Sequence, residues 1–232
     1  ARASVAIVTK VGLEHYTAFR SREAVAREKG ELVAALPADG LAILNADDVN
    51  VMSMAQRTRA RVVTFGWSED ADYRVISARA AFPDRLVVEI EAPAGRFVIR
   101  TPFFGEQFWL ATAAAFAGAV GQGVDPMEAV ARIATFTPPF DRCGVLAVPG
   151  GPTFVLDSVK APAESIADAI AAVKKARAPA KRIVIGHISD YAGNPRKHYR
   201  DAYRLAREAA DAVVFVGENM HRVPASDDDR AR

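Results

Sequence analysis

The chain alternates short apolar runs with stretches whose apolar positions recur at helical spacing. Strands are expected at Val5–Thr9, Leu41–Asn45, Val62–Phe65, Tyr73–Ala78, Leu86–Ile90 and Phe97–Arg100. A helix is expected over Arg22–Leu36, with Ser21 as N-cap, Pro37 just past its end and Gly40 closing the turn into the next strand. Residues 73–100 alternate apolar and polar, with turn signals at Pro83-Asp84 and Ala94-Gly95, and so predict an antiparallel meander beside a parallel sheet. Two helices follow. Gln107–Val120 is alanine-rich and apolar on nearly every side, so it should be buried; Pro126–Thr135 opens from Asp125 with proline at its first position.

The stiff run Phe136-Thr137-Pro138-Pro139-Phe140-Asp141-Arg142 makes the best domain boundary, dividing the chain into 1–138 and 139–232. Beyond it the pattern reads strand Thr153–Leu156, helix Ala163–Lys175, strand Arg182–Ile185, helix Lys197–Ala210 and strand Ala212–Val216. Such a βαβαβ succession predicts right-handed crossovers and a parallel sheet. The fold class is therefore α/β. His187–Lys197, with Tyr191, Gly193, Asn194 and Pro195, reads as a mobile loop over a cleft.

Composition changes this picture little. Half of the 232 residues are hydrophobic and a quarter charged, enough for a real core, and the net charge of +2 gives no pull toward nucleic acid or an anionic membrane. The single cysteine, Cys143, excludes an internal disulfide and fits a reducing compartment. No apolar run approaches the roughly 20 residues that span a bilayer, and no signal peptide is visible, so a cytoplasmic protein without membrane insertion is expected. Both ends look cut: the chain starts at Ala1, within five residues of a strand, and stops in the polar run Ser226-Asp227-Asp228-Asp229-Arg230. A fragment of a longer protein is expected.

Candidate chemistry concentrates at strand ends. The run Ala6-Ile7-Val8-Thr9-Lys10-Val11-Gly12-Leu13-Glu14-His15 delivers a histidine from a strand, and Arg27-Glu28-Lys29-Gly30-Glu31 delivers a lysine from a helix. A histidine at the C-terminal end of a strand lies where open α/β sheets place ligands, and an imidazole there can bind a divalent metal. Alone, the pair reads first as a hydrogen-bonded turn histidine and a solvated lysine; the segments around it raise the functional reading. Asn45-Ala46-Asp47-Asp48 sits at a second strand end; its side chains could face the same cleft or cap the next helix. Arg142 follows the proline run, and Asp157 ends the strand Thr153–Leu156. A planar guanidinium suits ribose or phosphate oxygens, and a carboxylate can accept from ribose hydroxyls; a salt bridge between the two is the alternative.

The order and spacing of these segments resemble the ATP-dependent Mur ligases, which join amino acids or peptides to a peptidoglycan precursor. The resemblance is greatest to the branch that adds D-alanyl-D-alanine to a UDP-N-acetylmuramoyl-tripeptide. It is strongest over 5–48, fair over 105–160 and pattern-level from 181 to 217. The resemblance implies the remnant of a P-loop-type central ATPase domain, followed by a partial Rossmann-like C-terminal domain. It implies ATP and Mg2+ as cofactors, with His15 helping to bind magnesium and Lys29 beside the phosphates, a metal ligand if carbamylated. It also implies a nucleotide contact from Arg142, a ribose contact from Asp157, Asn45 and Asp48 near the nucleotide, a nucleotide-sugar or peptide substrate, and an amino acid or dipeptide acceptor.

The chain departs from the family in several places. No Gly-x-x-Gly-Lys-[Ser/Thr] turn occurs in residues 1–232, so this chain alone is expected not to catalyse ligation. The family's Gly-x-His-Asn-x-x-Asn is Gly105-Glu106-Gln107-Phe108-Trp109-Leu110-Ala111, which puts Phe108 and Ala111 where asparagines stand, one of them reading adenine. Its Thr-Asn is Thr9-Lys10, its Tyr-Asn-Ala-Asn-Pro is Val159-Lys160-Ala161-Pro162-Ala163, and its Gly-Asp-Met is Gly186-His187-Ile188. Three readings stay open: a Mur-type ligase, a non-catalytic binding or scaffold relative, and a ligase making another product, polyglutamate or cyanophycin-like. Lys10, Lys160, Arg142 and His187 could also line a cleft for a different anion.

Overall fold

The computed structural model describes residues 3–13 and 19–223. Its first half is a six-stranded sheet in the order β1 (Val5–Val8), β2 (Leu41–Asn45), β3 (Arg61–Gly66), β4 (Tyr73–Arg79), β5 (Val87–Ala92) and β6 (Gly95–Arg100). Strands β1 to β3 are parallel, and β4 joins the end of β3 in parallel over Phe65↔Tyr73 and Gly66↔Arg74. It then runs on as the first strand of the expected antiparallel meander with β5 and β6.

Period-two alternation gives this sheet two apolar faces. Leu41 and Ile43 point one way with Val63 and Phe65, onto α3 (Trp109–Gly121) and α4 (Pro126–Ala134). Ala42 and Leu44 point the other way with Ala6 and Val8, onto α1 (Arg22–Ala34) and α2 (Val49–Met52). The alanine-rich α3 buries Thr112, Ala113, Ala114, Phe116, Ala117 and Gly118, as its composition requires. Gly118 lets it approach closely: a Cβ there would stand 3.1 Å from Ile7 Cδ1 and 3.3 Å from Ile43 Cδ1. Ser21 caps α1 by accepting from Ala24 N at 3.2 Å, and Asp125 caps α4 with Pro126 at N1.

The second half departs from the sequence reading. Thr153–Asp157 (β8) does not open a parallel sheet. It pairs antiparallel with Arg142–Ala147 (β7), a strand that the proline-rich stretch before it and the Pro149–Pro152 turn concealed. Gly144 is obligatory in this hairpin, because a Cβ would overlap the Phe140 carbonyl. The parallel sheet itself has two strands among the described residues, β9 (Arg182–Ile185) and β10 (Ala212–Phe215). It packs with α5 (Ala163–Lys175) and α6 (Pro195–Ala209) around Ile170, Ile183, Ile185, Tyr199, Ala202 and Ala206.

Helix α6 starts two residues earlier than the periodicity predicts, because Asn194 caps it and Pro195 fills N1. The expected loop 187–197 is correspondingly short and tied at several points. Ser189 N donates to Ala161 O, Ala163 N donates to Ser189 O, and Tyr191 stacks on His198 at 4.9 Å.

Candidate functional site

The C-terminal end of β1 is held by three side chains from elsewhere in the chain. Asn45, at the end of β2, donates from Nδ2 to Thr9 O at 2.8 Å, and its Oδ1 accepts from Asp47 N at 3.0 Å. Asp48 accepts from Val11 N through Oδ2 at 2.8 Å, while its Oδ1 caps α2 by accepting from Asn50 N and Val51 N. Lys29, on α1, donates from Nζ to Lys10 O at 2.8 Å. Three expected site residues thus converge on the backbone of Thr9-Lys10-Val11. That segment leads within four residues to His15, which lies outside the described residues.

The neighbouring Asp47 has a different task. Its carboxylate accepts from Trp67 N and Ser68 N, and Gly66 makes room for it: with φ +149°, a Cβ there would sit 2.8 Å from that carboxylate. The Asn45–Asp48 turn therefore works through backbone donors. It orders the ends of β1 and β3 around the edge where open parallel sheets place ligands.

The second half reaches this edge through Glu164, in the first turn of α5. Glu164 Oε1 accepts from Arg22 Nη2 at 2.7 Å, and Lys10 Nζ lies 3.8 Å from Oε2. Burial alone would raise the Glu164 carboxyl, but the Arg22 hydrogen bond and the charges of Lys10 and Arg22 outweigh it and hold the group below the usual carboxylate range. Asp168, a turn further along α5, moves the opposite way: burial raises it, partly offset by Lys10. An acidic residue in a first helical turn reads as a partner of the helix dipole, so nothing local in the sequence marked Glu164 as the contact between halves.

Arg142 and Asp157 are brought together as register partners across the β7–β8 hairpin. Burial raises the Asp157 carboxyl, and Arg142 and the Cys143 thiol pull it back. Between them and the sheet lies Cys143, at φ 53°, a left-handed backbone that this bulge imposes on a residue with a Cβ. Burial, with the adjacent Asp157, pushes its thiol up to about 12. Gln107 Nε2 donates to Cys143 Sγ at 3.6 Å, and Phe104, Cys143 and Ala172 form a buried apolar seam that joins the sheet to the hairpin and α5.

The aromatic side chains near the departed asparagine positions are already engaged. Phe108 stacks on Phe103 with centroids 4.9 Å apart, and Trp109 meets Trp67 edge-on at 5.3 Å. The cations expected to line an anion cleft have protein partners as well: Lys10 has Glu164, Lys160 pairs with Asp190, Arg142 faces Asp157, and His187 Nδ1 bonds Asn219 Nδ2. Among the described residues no group of three His, Cys, Asp or Glu could hold a metal ion, and no helix is long and apolar enough to cross a membrane.

Known proteins resemble the chain in both sequence and fold. UDP-N-acetylmuramate–L-alanine ligase of Paenarthrobacter aurescens is 34% identical over 140 residues, which cover 59% of this chain and 30% of that protein. UDP-N-acetylmuramoyl-tripeptide–D-alanyl-D-alanine ligase of Mycobacterium bovis is 48% identical over 60 residues, 26% of this chain and 12% of that protein. The crystal structure of MurF ligase from Thermotoga maritima in complex with ADP superposes with a TM-score of 0.81 at 19% identity, covering 97% of this chain and 52% of that one. The chain thus spans about half the length of that structure and less of these curated relatives. The Mur ligase middle domain profile matches residues 1–119, just over half of the chain and the part that builds the sheet and most of α3, so the chain belongs to the Mur ligase family.

Proposed function

We propose that the protein containing this chain is an ATP-dependent carboxylate–amine ligase of the Mur type, acting on a cell-wall precursor. The observation that carries this reading is the convergence of Lys29, Asn45 and Asp48 on Thr9–Val11, the strand end that leads into His15. In this reading residues 1–138 are the ATP-binding domain and 139–232 a Rossmann-like closing domain. ATP phosphorylates a substrate carboxylate, giving an acyl phosphate and ADP. The amine of an amino acid or dipeptide then attacks the carbonyl carbon, a tetrahedral intermediate collapses, and phosphate leaves as the amide forms. Lys29 would stand beside the phosphates, and Asn45 and Asp48 would fix the strand end that presents them. Arg142 and Asp157 would meet the nucleotide from the second half, so that closure assembles the site. Magnesium would neutralise phosphate charge when bound, held by His15 and by Lys29 in a carbamylated form.

A second reading, a binding relative without nucleotide chemistry, is favoured by one observation: Phe103 stacks on Phe108 where the resemblance implies an adenine contact. Amine-dependent phosphate release from ATP separates the two. The protein containing residues 1–232 is assayed with UDP-N-acetylmuramoyl-peptides and amino acids or D-alanyl-D-alanine, beside Lys29→Met and Arg142→Gln. Release that needs both the UDP-N-acetylmuramoyl-peptide and the amine, and that either substitution cuts at least tenfold, is expected. A folded protein that releases no phosphate with any pair leaves the binding reading in its place.

A further inference from the structure

The outer face of the β4–β5–β6 meander, turned away from the core, carries an open groove of about 860 Å³. That volume lies within the roughly 300–1,000 Å³ of small-molecule sites. Its floor includes a row across three strands in which Arg79, Val87 and Arg100 are register partners, with Val98 beside it and 48% exposed. The Ala80–Leu86 segment and Lys175, in the last turn of α5, form its walls.

Charge within the groove is unbalanced. Its three carboxylates each have a cation: Glu89 pairs with Arg79 at 2.8 Å, Glu106 with Lys175, and Asp84 with Arg177 at 2.8 Å. Arg85 and Arg100 are left without a carboxylate partner among the described residues. The Arg85 guanidinium lies over the Phe82 ring, 5.5 Å from its centroid, a contact that leaves its in-plane N–H donors unused. Arg100 extends from β6 with no side-chain hydrogen bond or ion pair among the described residues. Two guanidiniums without counter-ions, beside the exposed Val98 and the half-buried Val87, match an anion with a planar acceptor edge or a phosphate, attached to an apolar body.

We propose that this groove binds a small phosphate-bearing ligand through Arg85 and Arg100. The ligase residues considered above sit at the ends of β1 and β2, on α1 and in the β7–β8 hairpin, and none of them lines this groove, so the site stands or falls independently of them. Calorimetric titration of the chain with pyrophosphate and with phenyl phosphate is the test, run on wild type, on Arg85→Gln/Arg100→Gln and on Arg132→Gln, an exposed arginine on α4 outside the groove. Both probes should bind wild type and Arg132→Gln alike, and the double variant should lose at least tenfold in affinity. Tighter phenyl phosphate marks a phosphate ester packed on Val87 and Val98, whereas tighter pyrophosphate marks a diphosphate group. Amide shifts on titration should fall at Val98, Arg100 and Lys175, a readout that stands even if the double variant folds poorly. No binding at millimolar probe, equal affinity in the double variant, or an equal loss in Arg132→Gln would each overturn the assignment.

Discussion

Asp48 offers a substitution that separates two roles held by one carboxylate. Its Oδ1 accepts from Asn50 N and Val51 N, capping α2, and its Oδ2 accepts from Val11 N, holding the end of β1 across 37 positions of sequence. Asp48→Asn can keep the cap through its amide oxygen, but it turns an amide N–H toward the Val11 N–H. Loss of a charge-assisted hydrogen bond is worth about 1.5–3 kcal/mol, so Asp48→Asn should cost about 2 kcal/mol. Asp48→Ala loses the cap as well, a further ~1 kcal/mol, about 3 kcal/mol in total. For a chain of this size each kcal/mol lowers the melting temperature by roughly 2–4 °C, so Asp48→Asn should melt about 4–8 °C below wild type. Urea unfolding followed by circular dichroism gives both free energies. If Asp48→Asn lies within about 0.5 kcal/mol of wild type while Asp48→Ala does not, Asp48 is a helix cap alone. The convergence on Thr9–Val11 then loses one of its three members.

Further outcomes follow from other contacts. Because the folded Glu164 carboxyl is held below its ordinary value of 4.5, its stabilisation is complete above that value and is lost as pH falls through the lowered one. The stability difference between wild type and Glu164→Gln, under about 1 kcal/mol at pH 7 for so exposed a pair, should therefore vanish toward pH 3; a difference that grows on acidification would refute the pairing. The Cys143 thiol, raised from 9.0 to about 12, should hold roughly a thousandfold less thiolate than an ordinary cysteine. Iodoacetamide at pH 8 should modify native protein at least a hundredfold more slowly than urea-unfolded protein, and equal rates would place Cys143 at the surface. Gly144→Ala drives a Cβ into the Phe140 carbonyl and should cost more than about 2 kcal/mol, whereas Gly186→Ala, with open space around it, should cost less in the same unfolding assay.

The elements that were legible in the sequence are those whose determinants are local. Ser21 before α1, Asp125-Pro126 before α4, and the apolar spacing of Ala163–Lys175 fix those helices through contacts within a turn or two. The unbroken apolar run of β2, buried at every position, and the turn at Ala94-Gly95 likewise fix a central strand and a meander. The family's order of residues also puts Lys29 on a helix, Asn45 at a strand end and Asp48 in the turn that follows it.

Pairing between distant segments was left to the tertiary structure. A run such as Thr153–Asp157 carries the same β-forming side chains whether it pairs parallel or antiparallel, and its partner was set by Gly144, the only residue that fits beneath the Phe140 carbonyl. Glu164 reads as an ordinary first-turn acid until the packing of α5 sets it against Arg22, 142 positions away. Whether Asp48 caps a helix or holds a strand is likewise a matter of which backbone donors arrive at each oxygen. Periodicity and capping act over a few residues and are written in the chain. Hydrogen-bond partners tens of residues apart depend on where folding delivers them, and only the packed structure decides that.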